Sequence, residues 1–246
     1  MVTQMEISLL IRLIIAHLLT DFVFQSDSWV NQRFKDGWHS KHLYLHGIIA
    51  GTLAYFFTGL WSLIWIPIVV AITHILIDGI KAKYENNIHS FLLDQLGHFM
   101  ILLVIWILIV NPKSEDIDFL EQIFLPGIKI WVIIAAYLII LWPSSKLISK
   151  ITEKWREDTE NKDPKDESLE KAGRWIGWLE RFLILTFVLL EQYEAIGLLV
   201  AAKSIFRFSE TRRVGEYVLI GTLLSFSIAI LVGLIASLFL QTFYFQ

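Results

Sequence analysis

Apolar runs close to the thickness of a bilayer recur along this chain of 246 residues, and they leave few ways for it to fold. A helix needs about 20 predominantly apolar residues to cross a membrane. Runs approaching that length cover residues 5–24, 42–58, 60–81, 90–110, 126–147, 175–191 and 214–240, with a shorter apolar piece at 195–208. None shows the strict alternation of a barrel strand, so helices are expected. The expected fold is all-α, a polytopic transmembrane helical bundle with seven or eight membrane segments, the short piece deciding between the two counts. Three regions follow: 1–148, an N-terminal membrane region of five helices; 149–174, a charged linker; and 175–246, a C-terminal membrane hairpin region.

Composition supports this reading and narrows the chemistry. The chain is 55% hydrophobic with a mean hydropathy of +0.58, too apolar for an ordinary soluble domain. A net charge of −3 argues against a nucleic-acid binder. Cysteine is absent, so any bound metal must take His, Asp, Glu or water. The first segment carries Arg12, His17 and Asp21, which a cleavable signal core would not favour. Trp61, Trp65 and Trp142 sit where interfacial aromatic belts are expected.

Lys and Arg set the orientation. The 149–174 stretch is the richest in both charge signs and is expected in the cytoplasm. Threading from it puts Arg33, Lys35, Lys41, Lys81 and Lys83 inside, and the N-terminus and the acidic 111–125 loop outside. This topology brings His17, Asp21, His46, His74, Asp78, Asp94 and His98 to one depth, toward the cytoplasmic face. Ionisable groups are costly at such positions and mark functional sites. His17 and Asp21 are four residues apart, as are His74 and Asp78, and Asp94 and His98, so each pair shares a helix face. The order H-x3-D followed by a His on the next segment occurs twice, which suggests a duplicated helical hairpin about a pseudo-twofold axis.

Imidazole and carboxylate are the usual ligands of zinc, manganese or iron where thiolate is lacking. His17, Asp21, His46, His74, Asp78 and His98 are therefore read as ligands of a divalent metal, zinc first, or as groups that orient those ligands. Asp94 is read as a general base acting on metal-activated water. Lys41, Lys81, Gln25 and Gln95 fringe the layer and are read as substrate-holding groups; positive-inside topology accounts for the two lysines equally. His39, His42 and His89 are expected in solvent-facing loops. In the C-terminal half, Glu180, Arg181, Lys203, Arg207 and Glu216 suggest either an ion-pair network bracing the bundle or an anion-binding patch.

The motifs AHLLTDFVFQSD, HILIDGIK, LLDQLGH, AIGLLVAAKSIFRF and EYVLIGTLLS together resemble an uncharacterised family of bacterial integral membrane proteins, a domain of unknown function. That resemblance implies an inner-membrane protein and brings no activity with it. The H-x3-D pairs are more loosely similar to bacterial membrane-bound metal-dependent hydrolases. This second resemblance implies a metal role for His17, Asp21, His74 and Asp78. Three functions are consistent with the chain: a metal-dependent hydrolase of a lipid-linked or amphiphilic substrate, a proton- or metal-ion-coupled transporter or channel, and a membrane scaffold whose linker recruits a soluble partner.

Overall fold

The computed structural model describes residues 3–111, 127–157, 164–206 and 212–242, with side chains described for all of these but 154–172 and 205–218. The described residues form helices and short turns, with no strand among them. The elements are α1 (Gln4–Leu18), a π-helical turn (Leu19–Val23), α2 (Asp27–Asp36), a 3-10 turn (Gly37–His39), α3 (Lys41–Thr58), α4 (Trp65–Lys81), α5 (Ile88–Val110), α6 (Ile128–Leu141), α7 (Pro143–Glu157), α8 (Pro164–Leu189), α9 (Tyr193–Phe206) and α10 (Arg212–Thr242). The acidic stretch 112–125 and Arg207 lie outside the described residues, and Glu216 outside the described side chains.

Two compact units divide at Ala135–Ala136, within α6. The first holds the whole His/Asp layer. Two of its helices begin on capping boxes, Thr3 with Glu6 on α1 and Asn87 with Ser90 on α5. Gly59, at φ 68°, ends α3 in the left-handed conformation that a side chain resists. α3 and α4 then pack closely because Gly47 and Gly51, four apart, leave no Cβ between them. A Cβ on Gly51 would stand 2.3 Å from the Pro67 carbonyl oxygen, and one on Gly47 2.3 Å from Ile75 Cγ1. α1 and α5 close the bundle, and Trp106 Nε1 donates to the Glu6 carbonyl at 2.6 Å.

Burial in this unit is inverted relative to a soluble protein. On α4, Ile66, Val70, His74 and Asp78 are buried at successive four-residue steps, while Ile68, Ile72, Leu76 and Ile80 on the opposite face are about half exposed. On α5, Asp94 and His98 are buried while Leu93, Leu96, Met100 and Val104 face outward. Apolar surface on this scale needs a nonaqueous partner, and a lipid bilayer is the environment that such helices suit. Inside, one end of the bundle is an apolar core around Leu9, Leu13, Ala54, Ile66, Leu102 and Ile105. The other end is polar.

The expectation of seven or eight membrane segments is not supported. Three described helices are long and apolar enough to cross a bilayer: Ile88–Val110, Ile128–Glu153 and Leu219–Thr242. A fourth is reached only by joining Gln4–Val23 to Asp27–His39, which bend apart by 83°. The reason lies in length and polarity. The 17 residues of α4 reach about 26 Å, short of a hydrocarbon core of about 30 Å, and the 14 of α9 are shorter still. The 18 residues of α3 include Lys41, His42 and His46.

In the second unit α6 breaks at Trp142–Pro143, because proline cannot donate to Ile139. Ser144 Oγ donates to the Ile139 carbonyl instead, at 2.8 Å. The buried Arg181 fills the next place, with Nε donating to the Ile140 carbonyl at 2.6 Å and Nη1 to Ser225 Oγ at 3.0 Å. Lys203 pairs with Glu180 beside it. Of the stretch expected as a linker, 149–157 and 164–174 are helical, as parts of α7 and α8.

Candidate metal centre

The layer assembles from helix ends that alternate in direction. α1 and α4 bring their C-terminal ends, with His17, Asp21, His74 and Asp78; α3 and α5 bring their N-terminal ends, with His46, Asp94 and His98. His17, His46, His74, Asp78, Asp94 and His98 are each at most 5% exposed, and the Asp21 side chain is 7% exposed. The closest contacts run between helices rather than within the H-x3-D pairs. His17 to Asp21 is 3.7 Å and His74 to Asp78 is 3.9 Å, whereas Asp21 Oδ1 lies 3.0 Å from His74 Nε2 and 3.3 Å from His46 Nε2.

Asp21 lies in the π turn. Phe24 N bonds back to the Leu19 carbonyl at 2.9 Å, a five-residue step, and Thr20 Oγ1 bonds to the Ala16 carbonyl at 2.8 Å. From this turn Asp21 reaches His46 on α3 and His74 on α4. Such turns are frequent at functional sites.

His46 Nε2 and His74 Nε2 are 3.1 Å apart. With Asp21 Oδ1 they form a triangle whose edges are 3.0, 3.1 and 3.3 Å. Donor atoms bound at about 2.0–2.1 Å to one ion stand roughly 3.3 Å apart in a tetrahedron and roughly 3.0 Å apart in an octahedron. Asp21 Oδ1 is buried and accepts no hydrogen bond. A buried carboxylate oxygen left this way is costly unless a cation meets it. The donor set of two imidazoles and one carboxylate therefore fits a divalent transition metal.

Asp21 and Asp94 are each held by one oxygen and offer the other to the histidines, whereas the Asp78 oxygen that meets Arg33 also lies 3.5 Å from His46 Nε2. Asp21 Oδ2 accepts from Gln95 Nε2 at 3.1 Å. Asp94 Oδ2 accepts from Lys81 at 2.6 Å and from Gln95 at 3.2 Å, leaving Oδ1 3.5 Å from His98 Nε2. Asp78 Oδ2 pairs with the Arg33 guanidinium, and Oδ1 is 3.9 Å from His98 Nε2. Gln95 joins the layer as a hub, because its Oε1 also accepts from His17 Nε2 at 3.2 Å. The His74 and His98 rings stack with centroids 4.0 Å apart. Lys81 is engaged by Asp94. Lys41 is exposed at the start of α3, and Gln25 is half-buried just after the π turn.

Exchanging His17 with His74, Asp21 with Asp78, and His46 with His98 relates two of these distances but not the Asp21–His74 contact at 3.0 Å or the His74–His98 stack at 4.0 Å. His17–His98 ring centroids are 4.9 Å apart against 4.8 Å for His46–His74, and Asp21–His46 at 3.3 Å answers to Asp78–His98 at 3.9 Å.

Residues 25–42, a polar stretch between the first two apolar runs that reads as a loop, contain α2. Ser26 caps the helix and Gly37 ends it at φ 54°. The element folds back so that Arg33, 3% exposed, meets Asp78, and the Trp38 ring lies on Gly79, where a Cβ would stand 2.4 Å from it. The cue was a start signal at Ser26 and a stop signal at Gly37 around a short amphipathic run. His39 and His89 are exposed, while His42 is half-buried against Trp29.

Residues 9–125 match a family described as a protein of unknown function (DUF3307). The match includes every residue of the His/Asp layer. No curated protein and no solved structure matches the chain, and the likeness to metal-dependent hydrolases finds no counterpart in these comparisons.

Proposed function

We propose that this is a bacterial inner-membrane protein carrying a divalent metal centre, zinc first, on Asp21, His46 and His74. The reaction would be hydrolysis of a lipid-linked or amphiphilic substrate that enters from the inner leaflet. The observation that carries this reading is the triangle of donor atoms with edges of 3.0–3.3 Å around an unbonded carboxylate oxygen. Three protein ligands with an open position is the pattern of catalytic rather than structural zinc sites. Bound there, the ion would supply a polarised water near neutral pH. His17, Asp78, Asp94 and His98 act as partners that orient the ligands and accept protons, with Gln95, Arg33 and Lys81 fixing the carboxylates.

Charge points the same way. Arg33 neutralises Asp78 and Lys81 neutralises Asp94, so Asp21 is the carboxylate of the layer left without a basic partner. A small cavity of about 10 Å³ is lined by His17, His74 and His98 together with Leu13, Ala54, Val70, Thr73 and Leu102. It has room for about one water. In this reading the polar end of the bundle and the 149–174 stretch face the cytoplasm, the N-terminus faces the outside, and the lipid bilayer is the immediate partner.

The test is metal content per chain in detergent-purified protein without a histidine tag, beside a His46→Ala/His74→Ala variant. Near-stoichiometric zinc, manganese or iron in the parent and none in a still-helical variant is expected. A parent that stays metal-free after reconstitution would overturn the proposal.

A further inference from the structure

We infer that the layer takes a second divalent cation, on Asp94 Oδ1 and His98 Nε2, with Asp21 shared between the two positions. This rests on the metal reading above and extends it from one ion to two.

Four observations carry it. Asp94 Oδ1 and His98 Nε2 are both buried, both without a hydrogen-bond partner, and 3.5 Å apart. That spacing suits two ligands of one ion better than a hydrogen bond, whose donor and acceptor close to about 3.0 Å. Asp21, Asp94 and His98 each offer a ligand atom within 4.8 Å of the others, and Asp21 also belongs to the set with His46 and His74. Finally, Lys81 and Gln95 take the outer oxygen of Asp94 alone, so the inner oxygen is aimed but unused. A carboxylate reached from two sides in this manner is a natural bridge between cations. Two-metal sites hold their ions about 3.5–4 Å apart.

Charge decides what accompanies the second ion. Three carboxylates face Arg33 and Lys81, so the layer carries one excess negative charge, with neutral imidazoles, before any ion enters. One divalent cation reverses that sign, and a second leaves a strongly positive site. An anion must therefore come with it. A phosphoryl group meets the requirement, since its oxygens can bridge both ions. The substrate class that follows is a phosphate ester with an apolar tail, rather than a neutral ester.

The experiment is Mn²⁺ binding to the full chain in detergent, by equilibrium dialysis without and with inorganic phosphate, with electron paramagnetic resonance of the loaded protein. The parent is expected to bind two ions per chain, the second more tightly when phosphate is present, and to give the spectrum of an exchange-coupled pair. His98→Ala is expected to bind one ion and to show an isolated Mn²⁺ signal. Asp94→Asn, which keeps the shape and still accepts from Lys81, is expected to do the same and covers the case in which His98→Ala fails to fold. A parent that saturates at one ion in both conditions overturns the second site and leaves the first standing. Two ions retained by both variants overturn it as well. No ion in the parent sinks the first reading with it.

Discussion

Gln95 and Arg33 are the residues whose substitution separates ligands from their supports. Gln95 spends both amide protons on Asp21 and Asp94 and its oxygen on His17, so it touches three members of the layer. Gln95→Leu removes all three bonds without removing a ligand. The expected result is folded protein whose metal affinity falls roughly 10–100-fold, the usual cost of losing an orienting partner. Competition with a chelator of known affinity measures it, and an unchanged affinity would place Gln95 outside the centre's support. Arg33 is a different case. It and Asp78 are almost fully buried, and removing one member of such a pair leaves an uncompensated charge worth about 3–5 kcal/mol. Arg33→Met should therefore lower thermal stability sharply, and the double change with Asp78→Leu should recover much of it. Thermal melts of the four proteins of that cycle test this. Equal losses in the single and double variants would mean that packing around Arg33, rather than its charge, holds α2 down.

At the scale of elements, the π turn and the glycine face of α3 determine whether the ligands meet. The turn exists because one residue more than an α-helix needs lies between Leu19 and Phe24. Deleting Leu19 should restore regular helix and rotate Asp21 away from His46 and His74. Circular dichroism should stay near the parent's while bound metal is lost; retention of the metal would show that Asp21 is not a ligand. Gly51→Leu should act through distance, because a Cβ there already collides with the Pro67 carbonyl and the hairpin must open. Such an opening parts His46 from His74, so metal content should drop although no ligand is touched. These two elements mark how far the sequence could be read. The H-x3-D spacing and matching depth of His17, Asp21, His74 and Asp78 disclosed the layer, because helical periodicity is a local property. The π turn left no such mark: its register is fixed by Asp21 meeting α3 and α4 in space. The burial of Arg33 is likewise tertiary, and a run of charged residues before α3 reads as a loop until Asp78 is known to lie under it.

For the whole molecule, the question is which side of the membrane the polar end faces, and α5 allows a clean test. It is the span that carries Asp94 and His98, and its 23 residues reach about 34 Å, enough to cross. Lys83 lies exposed just before it, beside Lys81 and close to the layer, and Asn111 lies exposed just after it. Basic residues collect on the cytoplasmic side because their transfer outward is disfavoured, so Lys83 should be inside and Asn111 outside. The chain has no cysteine, so single replacements report without interference. Lys83→Cys should react with a membrane-impermeant maleimide only in inverted vesicles, and Asn111→Cys only in intact cells stripped of their outer membrane. The reverse pattern would put the candidate metal centre at the outer face, where a substrate entering from the inner leaflet could not reach it. Labelling of both positions from one side would mean that α5 lies along or beneath the membrane. The buried His/Asp layer would then belong to a peripheral bundle whose apolar face rests on lipid, and the hydrolysis proposed above would have to draw its substrate from the headgroup region instead of from within the bilayer.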